Sequence, residues 1–365
     1  MNIERPIRVL IIDDSAVMRS LLRMTLAECP GVEVAGVAVD GHAGLAAMEI
    51  LKPDLVLLDI EMPGMNGLEV LGEIRARSLP VRVMMCSTLT RRGAAITLEA
   101  LARGAADYVA KPSAQHGVHE SMATLGRELL PKIRALFPRA KDEGTMHSAA
   151  LPLPSPQRNF FRGTVHGSSP GVLVVGVSTG GPAALEQFVP ALPADFPLPV
   201  LIAQHMPAVF TALLAERLNG LARLEVREAQ AGETLSAGGA FLGRGDRHMR
   251  IAPVAGRPSL RLTLGEPDDI CRPSVDALFS SAAEAYGAGV LAVVLTGMGS
   301  DGLEGCRAIH AAGGRILVQD RETSAVWGMP GVVAKAGLAD QVLPIDVLAA
   351  EVVRSAGWYA RRMFA

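Results

Sequence analysis

Short apolar runs alternate with amphipathic stretches over the first third of the chain. Five such runs lie between residues 5 and about 125, and each is followed by a segment with helical spacing of its apolar positions. Their sequences are RVLII, VEVAGVA, DLVLL, VRVMMC and DYVA. This alternation predicts a succession of strands and helices that forms a parallel, doubly wound sheet.

A second alternation of the same kind begins after residue 168, with VLVVGVS, PVLIAQH, VLAVVLTGMGSDG and RILVQD as its apolar runs. Residues 225–264 carry shorter pieces punctuated by glycine, which we interpret as hairpins added to the main sheet. Between the two alternations the chain is rich in Pro, Ser, Gly and charge without a sustained period, which is typical of a linker. We therefore predict an α/β domain at 5–125, a linker at 126–168 and a second α/β domain at 169–360.

Composition and charge narrow the class of protein. A chain of 365 residues with 49% hydrophobic and 20% charged residues suits two globular domains. A net charge of -2 favours neither nucleic acid nor an anionic membrane as partner. The four cysteines include no Cys-x-x-Cys pair, so neither a disulfide framework nor a zinc site is predicted. The apolar run near the N-terminus is too short for a signal peptide or a membrane span, and we expect a cytoplasmic protein.

Polar side chains mark the carboxyl ends of the predicted strands in the first domain. Asp13 and Asp14 end the first strand, Asp59 ends the third, and Ser87 and Lys111 follow the fourth and fifth. Each alone is more easily explained as a helix cap, a turn residue or a solvated charge. Because strand ends of an open parallel sheet form its ligand crevice, the set favours a Mg²⁺ site at which a carboxylate accepts a phosphoryl group.

The motifs IIDDS, LLDIEMPGMNG, MMCSTLT and GAADYVAKP follow in order, and the first domain resembles the response-regulator receiver family. The resemblance implies a flavodoxin-like fold, phosphorylation of Asp59, and Mg²⁺ binding by Asp13, Asp14 and Asp59. It also implies a cis peptide bond before Pro112. The residues that it assigns to the switch and to phosphate contacts are Ser87, Tyr108 and Lys111.

A serine lies at a glycine-rich turn at the start of the second domain. The sequence VLVVGVSTGGP places Ser178 just after an apolar run, with Gly176 before it and Gly180 and Gly181 after it. Glycines on both sides permit a sharp strand-to-helix turn that exposes the hydroxyl. The alternative is a phosphate-binding loop, but the spacing is not G-x-G-x-x-G and no lysine follows as in a Walker loop. The turn therefore favours a nucleophile.

A serine nucleophile needs a base, and the second domain offers His205, His248 and His310. His205 ends the run PVLIAQ and so shares a sheet edge with the serine, whereas we expect His248 in a basic surface hairpin and His310 in a helix. Asp301 follows another strong apolar run and could orient the imidazole, and backbone N–H groups near Met298 could stabilise an oxyanion. The order Ser, His, Asp differs from that of α/β-hydrolases, which disfavours an ordinary lipase or esterase.

The segments GVSTGGP, AQHMP, RPSVDALFSSAA and LTGMGSDG together resemble the chemotaxis protein-glutamate methylesterases, and the order of receiver, linker and esterase matches that family. The resemblance implies a Rossmann-like, phosphorylation-activated esterase domain that hydrolyses glutamyl methyl esters on chemoreceptors and deamidates receptor glutamines. It implies no metal for the esterase step, and a chemotaxis histidine kinase as phosphodonor. The residues that it assigns to catalysis are Ser178, His205 and Asp301, with Thr179 and Met298 near the oxyanion.

Three further expectations remain open at the level of sequence. Arg247, Arg250 and Arg272 either contact an acidic receptor helix or lie in a solvated loop. Cys271 departs from the histidine or other polar residue found in many members of the resembled family. The unphosphorylated receiver is expected to dock over the serine crevice. The rival interpretation is a receiver with a non-catalytic binding output, and a DNA-binding output is disfavoured because no basic recognition helix is present.

Overall fold

The computed structural model describes residues 5–112, 117–138, 171–254, 257–264 and 271–363. Most of the predicted linker lies outside these residues. In the first domain the strands and helices are β1 Ile7–Ile12, α1 Ala16–Ala27, β2 Val32–Ala38, α2 Gly41–Leu51, β3 Leu55–Asp59, α3 Gly67–Ala76, β4 Arg82–Ser87, α4 Arg91–Ala102, β5 Asp107–Ala110 and α5 Val118–Leu136.

The first domain is a five-stranded parallel sheet in the order β2-β1-β3-β4-β5, as the strand and helix alternation predicts. Its central strands are apolar and buried, with one apolar cluster on each face of the sheet. Side chains fix where the helices begin: Ser15 accepts from the N–H of Met18 to cap α1, and Asn66 and Glu69 form a capping box at α3.

The last helix of this domain extends past the predicted boundary at residue 125. Three apolar residues of α5, Leu129, Ile133 and Leu136, are buried in the cluster that covers β1 and β3. Residues 126–136, which the sequence assigned to the linker, therefore form part of the last helix of the first domain. Pro, Gly and Ser mark a linker in sequence, but here the apolar spacing of the preceding helix continues for several turns.

The second domain contains a longer chain of elements. They are β6 Val172–Val177, α6 Gly181–Phe188, β7 Val200–Gln204, α7 Ala208–Leu221, β8 Glu225–Glu228, β9 Gly239–Leu242, β10 His248–Val254, β11 Arg257–Thr263, α8 Val275–Tyr286, β12 Val290–Val294, α9 Leu303–Ala311, β13 Arg315–Gln319, α10 Met329–Lys335, β14 Gln341–Leu343 and α11 Ile345–Met363. Short 3₁₀ turns occupy Val189–Ala191 and Gly287–Gly289.

Seven of these strands form a parallel sheet in the order β14-β13-β12-β6-β7-β9-β8, which confirms the predicted α/β class. The expectation of added hairpins is correct for β10 and β11, which pair antiparallel in a separate sheet. It is wrong for β8 and β9, which pair in parallel as part of the main sheet. The connection between β8 and β9, residues 229–238, is much longer than a hairpin turn and allows the chain to cross over.

The two domains pack against each other through helices and an aromatic pair. Helix α4 of the first domain lies against α6 and α7 of the second. The ring of Tyr108 stacks on that of Phe210 in α7, with centroids 4.6 Å apart and planes inclined by 16°. At the rim, Arg91 forms an exposed ion pair with Glu216 at 2.9 Å. None of the helices within the described ranges is both long and apolar enough to cross a membrane.

Candidate active site

Ser178 lies at a tight turn between β6 and α6. Its N–H donates to the carbonyl of Thr296, which follows β12, at 3.0 Å, and its carbonyl accepts from the N–H of Gly181 at 2.8 Å. Gly180 has a φ of 76°, which favours glycine at this position of the turn. A Cβ on Gly297 would lie 2.8 Å from the Cβ of Ser178, so the absence of a side chain there makes room for the serine. The predicted strand-to-helix turn is present.

His205 lies on the neighbouring strand end. Strands β6 and β7 pair Val177 with Gln204, so Ser178 and His205 each follow a paired residue at the same edge of the sheet. The N–H of His205 donates to the carbonyl of Val177 at 3.2 Å. The buried amide of Gln204 donates to the carbonyls of Ser178 at 3.0 Å and of His205 at 3.2 Å. Gln204 therefore braces both turns, a role that the sequence analysis did not predict.

Asp301 is hydrogen-bonded to His205, with 2.7 Å between Nε2 and a carboxylate oxygen. The N-terminus of α8 holds this carboxylate. The Ser274 hydroxyl and the N–H of Asp276 donate to Oδ1 at 3.0 and 2.9 Å, and the N–H of Val275 donates to Oδ2 at 2.7 Å. Backbone N–H groups at the start of a helix stabilise a carboxylate both as donors and through the helix dipole. Asp301 is therefore fixed in position independently of the imidazole.

The His205–Asp301 pair is ionised in this arrangement. Burial opposes the charge on His205, but the hydrogen bonds and charges of Asp301 and Cys271 together outweigh burial and raise the pKa to about 9. For Asp301 burial acts to raise the pKa, yet the hydrogen bonds from His205 and from the N-terminus of α8 hold it well below its usual range. A carboxylate that stabilises an imidazolium in this way suits a histidine that takes up a proton during a reaction.

The remaining predicted site residues lie where the two domains meet. Within the described ranges the Ser178 hydroxyl makes no hydrogen bond to His205, a contact that often tightens only in a substrate complex. The Thr179 hydroxyl donates to Asp107 of the first domain at 3.0 Å. Met298 packs against an apolar cluster in which Val326 of the second domain joins residues of β1, β3 and α5. The serine edge of the second domain therefore faces the receiver.

Two expectations about polar residues of the second domain need correction or refinement. His248 is buried, and its Nδ1 accepts from the N–H of Ser274 at 3.0 Å, so its assignment to a surface contact is wrong. It supports the turn that begins α8. The sequence suggests receptor contact for the arginine of the motif RPSVD. In the structure three other residues of this motif, Ser274, Val275 and Asp276, donate hydrogen bonds to Asp301. Arg250 of β10 is exposed, as contact with an acidic partner would require.

The first domain gathers its carboxylates as predicted. Oxygen atoms of Asp13, Asp14 and Asp59 lie within 4.8 Å of one another. The Lys111 ammonium lies 2.8 Å from Asp13 and 2.7 Å from Asp59. Burial acts to lower the lysine pKa, but the hydrogen bonds to both carboxylates raise it, so Lys111 stays charged. Three carboxylate oxygens at this spacing fit Mg²⁺, which prefers hard oxygen ligands.

Ser87 and Tyr108 make contacts that lead from the first domain towards the second. The Ser87 hydroxyl is buried and lies 2.7 Å from that of Thr97 in α4, while Tyr108 lies in the domain interface. Both are therefore connected to the surface that contacts the second domain. The expected cis bond before Pro112 is wrong: within the described ranges the one cis peptide bond is Arg272–Pro273. The trans form is the lower-energy isomer for most X-Pro bonds.

Comparison with known proteins assigns both domains. Residues 9–123 match the family model for the response regulator receiver domain, and residues 173–352 match that for CheB methylesterase. A protein-glutamate methylesterase/protein-glutamine glutaminase of Trichodesmium erythraeum is 42% identical over 96% of this chain and 99% of its own length. The chain belongs to the protein-glutamate methylesterase family. The resemblance seen in its motifs is thereby confirmed.

Further relatives support the same assignment for this member of the methylesterase family. A protein-glutamate methylesterase/protein-glutamine glutaminase of Caulobacter vibrioides is 46% identical over 93% of this chain and 96% of its own. The crystal structure of the Thermotoga maritima CheB methylesterase catalytic domain is 38% identical, with a TM-score of 0.50, covering 51% of this chain and 99% of that one. The methylesterase fold thus corresponds to the second domain.

Proposed function

We propose that this protein is a phosphorylation-activated methylesterase that hydrolyses glutamyl methyl esters of chemotaxis receptors to glutamate and methanol. The observation that carries the proposal is the His205–Asp301 hydrogen bond beside the turn of Ser178, in a chain that aligns with methylesterases over nearly its whole length. The same residues act on receptor glutamines, with ammonia in place of methanol as the leaving group.

The reaction proceeds through an acyl-enzyme. The Ser178 oxygen attacks the ester carbonyl while His205 accepts the hydroxyl proton, and Asp301 stabilises the imidazolium that forms. The tetrahedral intermediate collapses and the methoxy group leaves as methanol with the proton from His205. Water then attacks the acyl carbon, with His205 again as base, and glutamate and free Ser178 are released. Backbone N–H groups of Thr179 and Met298 are the proposed donors to the oxyanion.

The receiver inhibits this site by occupying its entrance. The Thr179–Asp107 hydrogen bond engages the residue next to the nucleophile, and Met298 packs against the apolar cluster in which Val326 joins residues of the first domain. Phosphorylation of Asp59 changes the surroundings of Ser87, whose hydroxyl contacts α4 through Thr97. Since α4 packs on α6 and α7, a shift of this helix weakens the docking of the two domains.

Mg²⁺ would be held in the receiver by Asp13, Asp14 and Asp59, where it neutralises charge during phosphoryl transfer. Lys111 contacts the transferred phosphoryl group, since its ammonium already lies 2.7 Å from Asp59. The proposed partners of this cytoplasmic enzyme are methyl-accepting receptors, which are its substrates, and a chemotaxis histidine kinase, which is its phosphodonor. The esterase step uses side chains and backbone N–H groups of the second domain.

The test is methanol release from methylated chemoreceptor membranes by the intact protein and by Ser178→Ala, with and without Mg²⁺ and a small phosphodonor. We expect release to rise with the phosphodonor and to fall by at least about 10³-fold in the variant. Phosphate uptake by Asp59 in Ser178→Ala serves as the folding control. Release by the variant at the wild-type rate, or none from the intact protein, would contradict the proposal and favour a non-catalytic output.

A further inference from the structure

A thiol lies beside the catalytic histidine and aspartate. Cys271 is partly exposed, whereas the other cysteines of the chain, Cys29, Cys86 and Cys306, are buried. A ring nitrogen of His205, the sulfur of Cys271 and a carboxylate oxygen of Asp301 all lie within 4.8 Å of one another. The three side chains come from separate parts of the chain: the end of β7, the turn before α8 and the turn after β12. Folding alone brings them together.

This set of donors has a distinct metal preference. Imidazole nitrogen, thiolate sulfur and carboxylate oxygen are the three ligand types that Zn²⁺ uses in proteins, at bond lengths of about 2.0 to 2.3 Å. In a tetrahedral site with such bonds the donors stand roughly 3.3 to 3.8 Å apart. Donors at the upper limit of 4.8 Å would have to approach one another, whereas His205 Nε2 and the Asp301 oxygen, now 2.7 Å apart in a hydrogen bond, would have to separate as the metal replaces the proton between them. The all-oxygen cluster of the receiver has the opposite preference and suits Mg²⁺.

The surroundings hold these ligands in place. Asp301 is fixed by the Ser274 hydroxyl and by the N–H groups of Val275 and Asp276, which would form the outer shell of a metal site. The side chains of His205 and Asp301 retain 12% and 16% of their exposure, so a small cation can reach them from solvent. A set of three protein ligands leaves a fourth position for water.

We propose that His205, Cys271 and Asp301 form a binding site for Zn²⁺ or a similar thiophilic divalent cation, separate from the magnesium site of the receiver. Binding transfers the Cys271 thiol proton to solvent and requires an unprotonated ring nitrogen on His205, so affinity rises with pH. The consequence for catalysis rests on the proposed function: a histidine that coordinates metal cannot accept the Ser178 proton. Zn²⁺ is then a reversible inhibitor of the esterase, and a chelator restores activity.

The binding experiment uses the full-length protein in excess Mg²⁺, which occupies the receiver site. Zn²⁺ is titrated calorimetrically, and Co²⁺ is titrated as a spectroscopic probe, because thiolate ligation to Co²⁺ gives a charge-transfer absorption in the near ultraviolet. Loss of one ligand in Cys271→Ser should weaken Zn²⁺ binding by about 10-fold or more and remove the thiolate absorption. Cys29→Ala, a cysteine variant of the first domain, should bind as the wild type does.

The inhibition experiment measures methanol release against Zn²⁺ concentration, with each variant normalised to its own rate in chelator. We expect the inhibitory concentration for Cys271→Ser to be about 10-fold higher than for the wild type and Cys29→Ala. Equal Zn²⁺ affinity in wild type and Cys271→Ser, or a Co²⁺ complex without thiolate absorption, would overturn the site. If the protein released no methanol at all, the proposed function would fail while the titrations still decided the metal site.

Discussion

The carboxylate crevice of the receiver and the serine crevice of the esterase domain share a sheet topology but contain different side chains. In both, charged side chains converge from the carboxyl ends of parallel strands. In the receiver, a flexible lysine bridges two carboxylates, Lys111 to Asp13 and Asp59, and can be displaced by a cation or follow a phosphoryl group. In the esterase domain, Asp301 is held by the rigid N-terminus of a helix and in turn orients His205. The sheet topology brings the charged side chains together in both domains. The two sites differ in how these side chains are held, and we relate this difference to the phosphoryl transfer proposed for one and the ester hydrolysis proposed for the other.

The crevices also differ in what covers them. Asp14 at the receiver pocket is exposed to solvent, as entry of a phosphodonor requires. The serine crevice faces the other domain, through Thr179 and Asp107. Under the proposed function, the receiver site is open to a phosphodonor, whereas the esterase site already has its His–Asp pair and becomes accessible when the receiver undocks. Substitutions at the two sites should have correspondingly different signatures.

The largest effect is expected for Asp301→Asn, which removes the charge that supports His205. Methanol release should fall by about 10⁴-fold, which is the loss of rate seen when the orienting carboxylate is removed from other triads.

The pH dependence of the rate provides a second test. In the wild type the unprotonated His205 is the base, so the rate of the unstimulated enzyme should rise with pH through the raised pKa of about 9. In the variant the charge of Asp301 no longer raises the pKa of His205, whereas burial still acts to lower it and Cys271 still acts to raise it, so the pKa falls from its wild-type value. The pH dependence of kcat/KM should therefore shift to lower pH, and an unshifted profile would exclude His205 as the titrating base.

The next largest effect is expected for Asp59→Asn, which removes the phosphate acceptor and leaves the serine crevice unchanged. Stimulation by a phosphodonor should vanish, while the unstimulated rate stays within about 2-fold of wild type. Release and phosphate incorporation are measured on the same sample. Stimulation that survives in the variant would place the acceptor elsewhere.

A smaller effect of opposite sign is expected for Asp107→Ala, which breaks the hydrogen bond to Thr179 across the interface. A hydrogen bond to a charged group contributes about 1.5 to 3 kcal/mol, so the unstimulated rate should rise by roughly 10- to 100-fold as the closed state loses stability. The measurement is methanol release without a phosphodonor. An unchanged or lower rate would show that this contact does not hold the domains together.

Asp107 also accepts a hydrogen bond from the Lys132 ammonium at 3.2 Å. Because Asp107→Ala removes this contact as well, a control variant must remove it alone. Lys132→Met removes the lysine contact but keeps the bond to Thr179, and should give much less activation than Asp107→Ala. Thr179→Val removes the same interdomain bond from the other side and retains the backbone N–H. Because Asp107→Ala and Thr179→Val both break the Thr179–Asp107 hydrogen bond, their effects on docking should not add in the double variant.

The smallest effect is expected for Arg91→Ala, at the rim of the interface. The Arg91–Glu216 pair is exposed on both sides, and such pairs contribute little in water. The unstimulated rate should rise by no more than about 5-fold, and the difference should disappear at high salt because exposed charges are screened. A large, salt-independent activation would mean that the Arg91–Glu216 pair, and not the buried Thr179–Asp107 hydrogen bond, holds the receiver over the serine crevice.

The sequence was most informative at the strand ends. Apolar runs that stop at Asp59, Ser178 or His205 predicted both the sheets and the convergence of these groups, because parallel strands end at one edge. The supports could not be predicted in the same way. The bonds from Gln204 to the two turns and from the N-terminus of α8 to Asp301 depend on the direction of backbone groups, which no spacing of residue types encodes.

Errors arose where local composition was taken as the guide. A histidine among arginines and glycines suggested a surface hairpin, yet His248 is buried because it accepts a bond from the turn before α8. Asp107, too, was passed over within the motif GAADYVAKP, since its partner lies in the other domain. Ser274 carried a usable signal: a serine directly before an apolar helical run predicts a helix N-cap, and helix N-termini bind carboxylates.

The bond between Thr179 and Asp107 implies that information passes through this enzyme in both directions. If phosphate on Asp59 favours the open state by some factor, then any ligand that holds the crevice open favours the phosphorylated receiver by the same factor. A receptor segment bound beside Ser178 would therefore make the receiver a better acceptor, which phosphate incorporation with and without a receptor peptide would reveal. Under this reciprocity the enzyme gains its phosphate preferentially where a receptor segment is already bound, and activation favours the molecules that already hold their substrate.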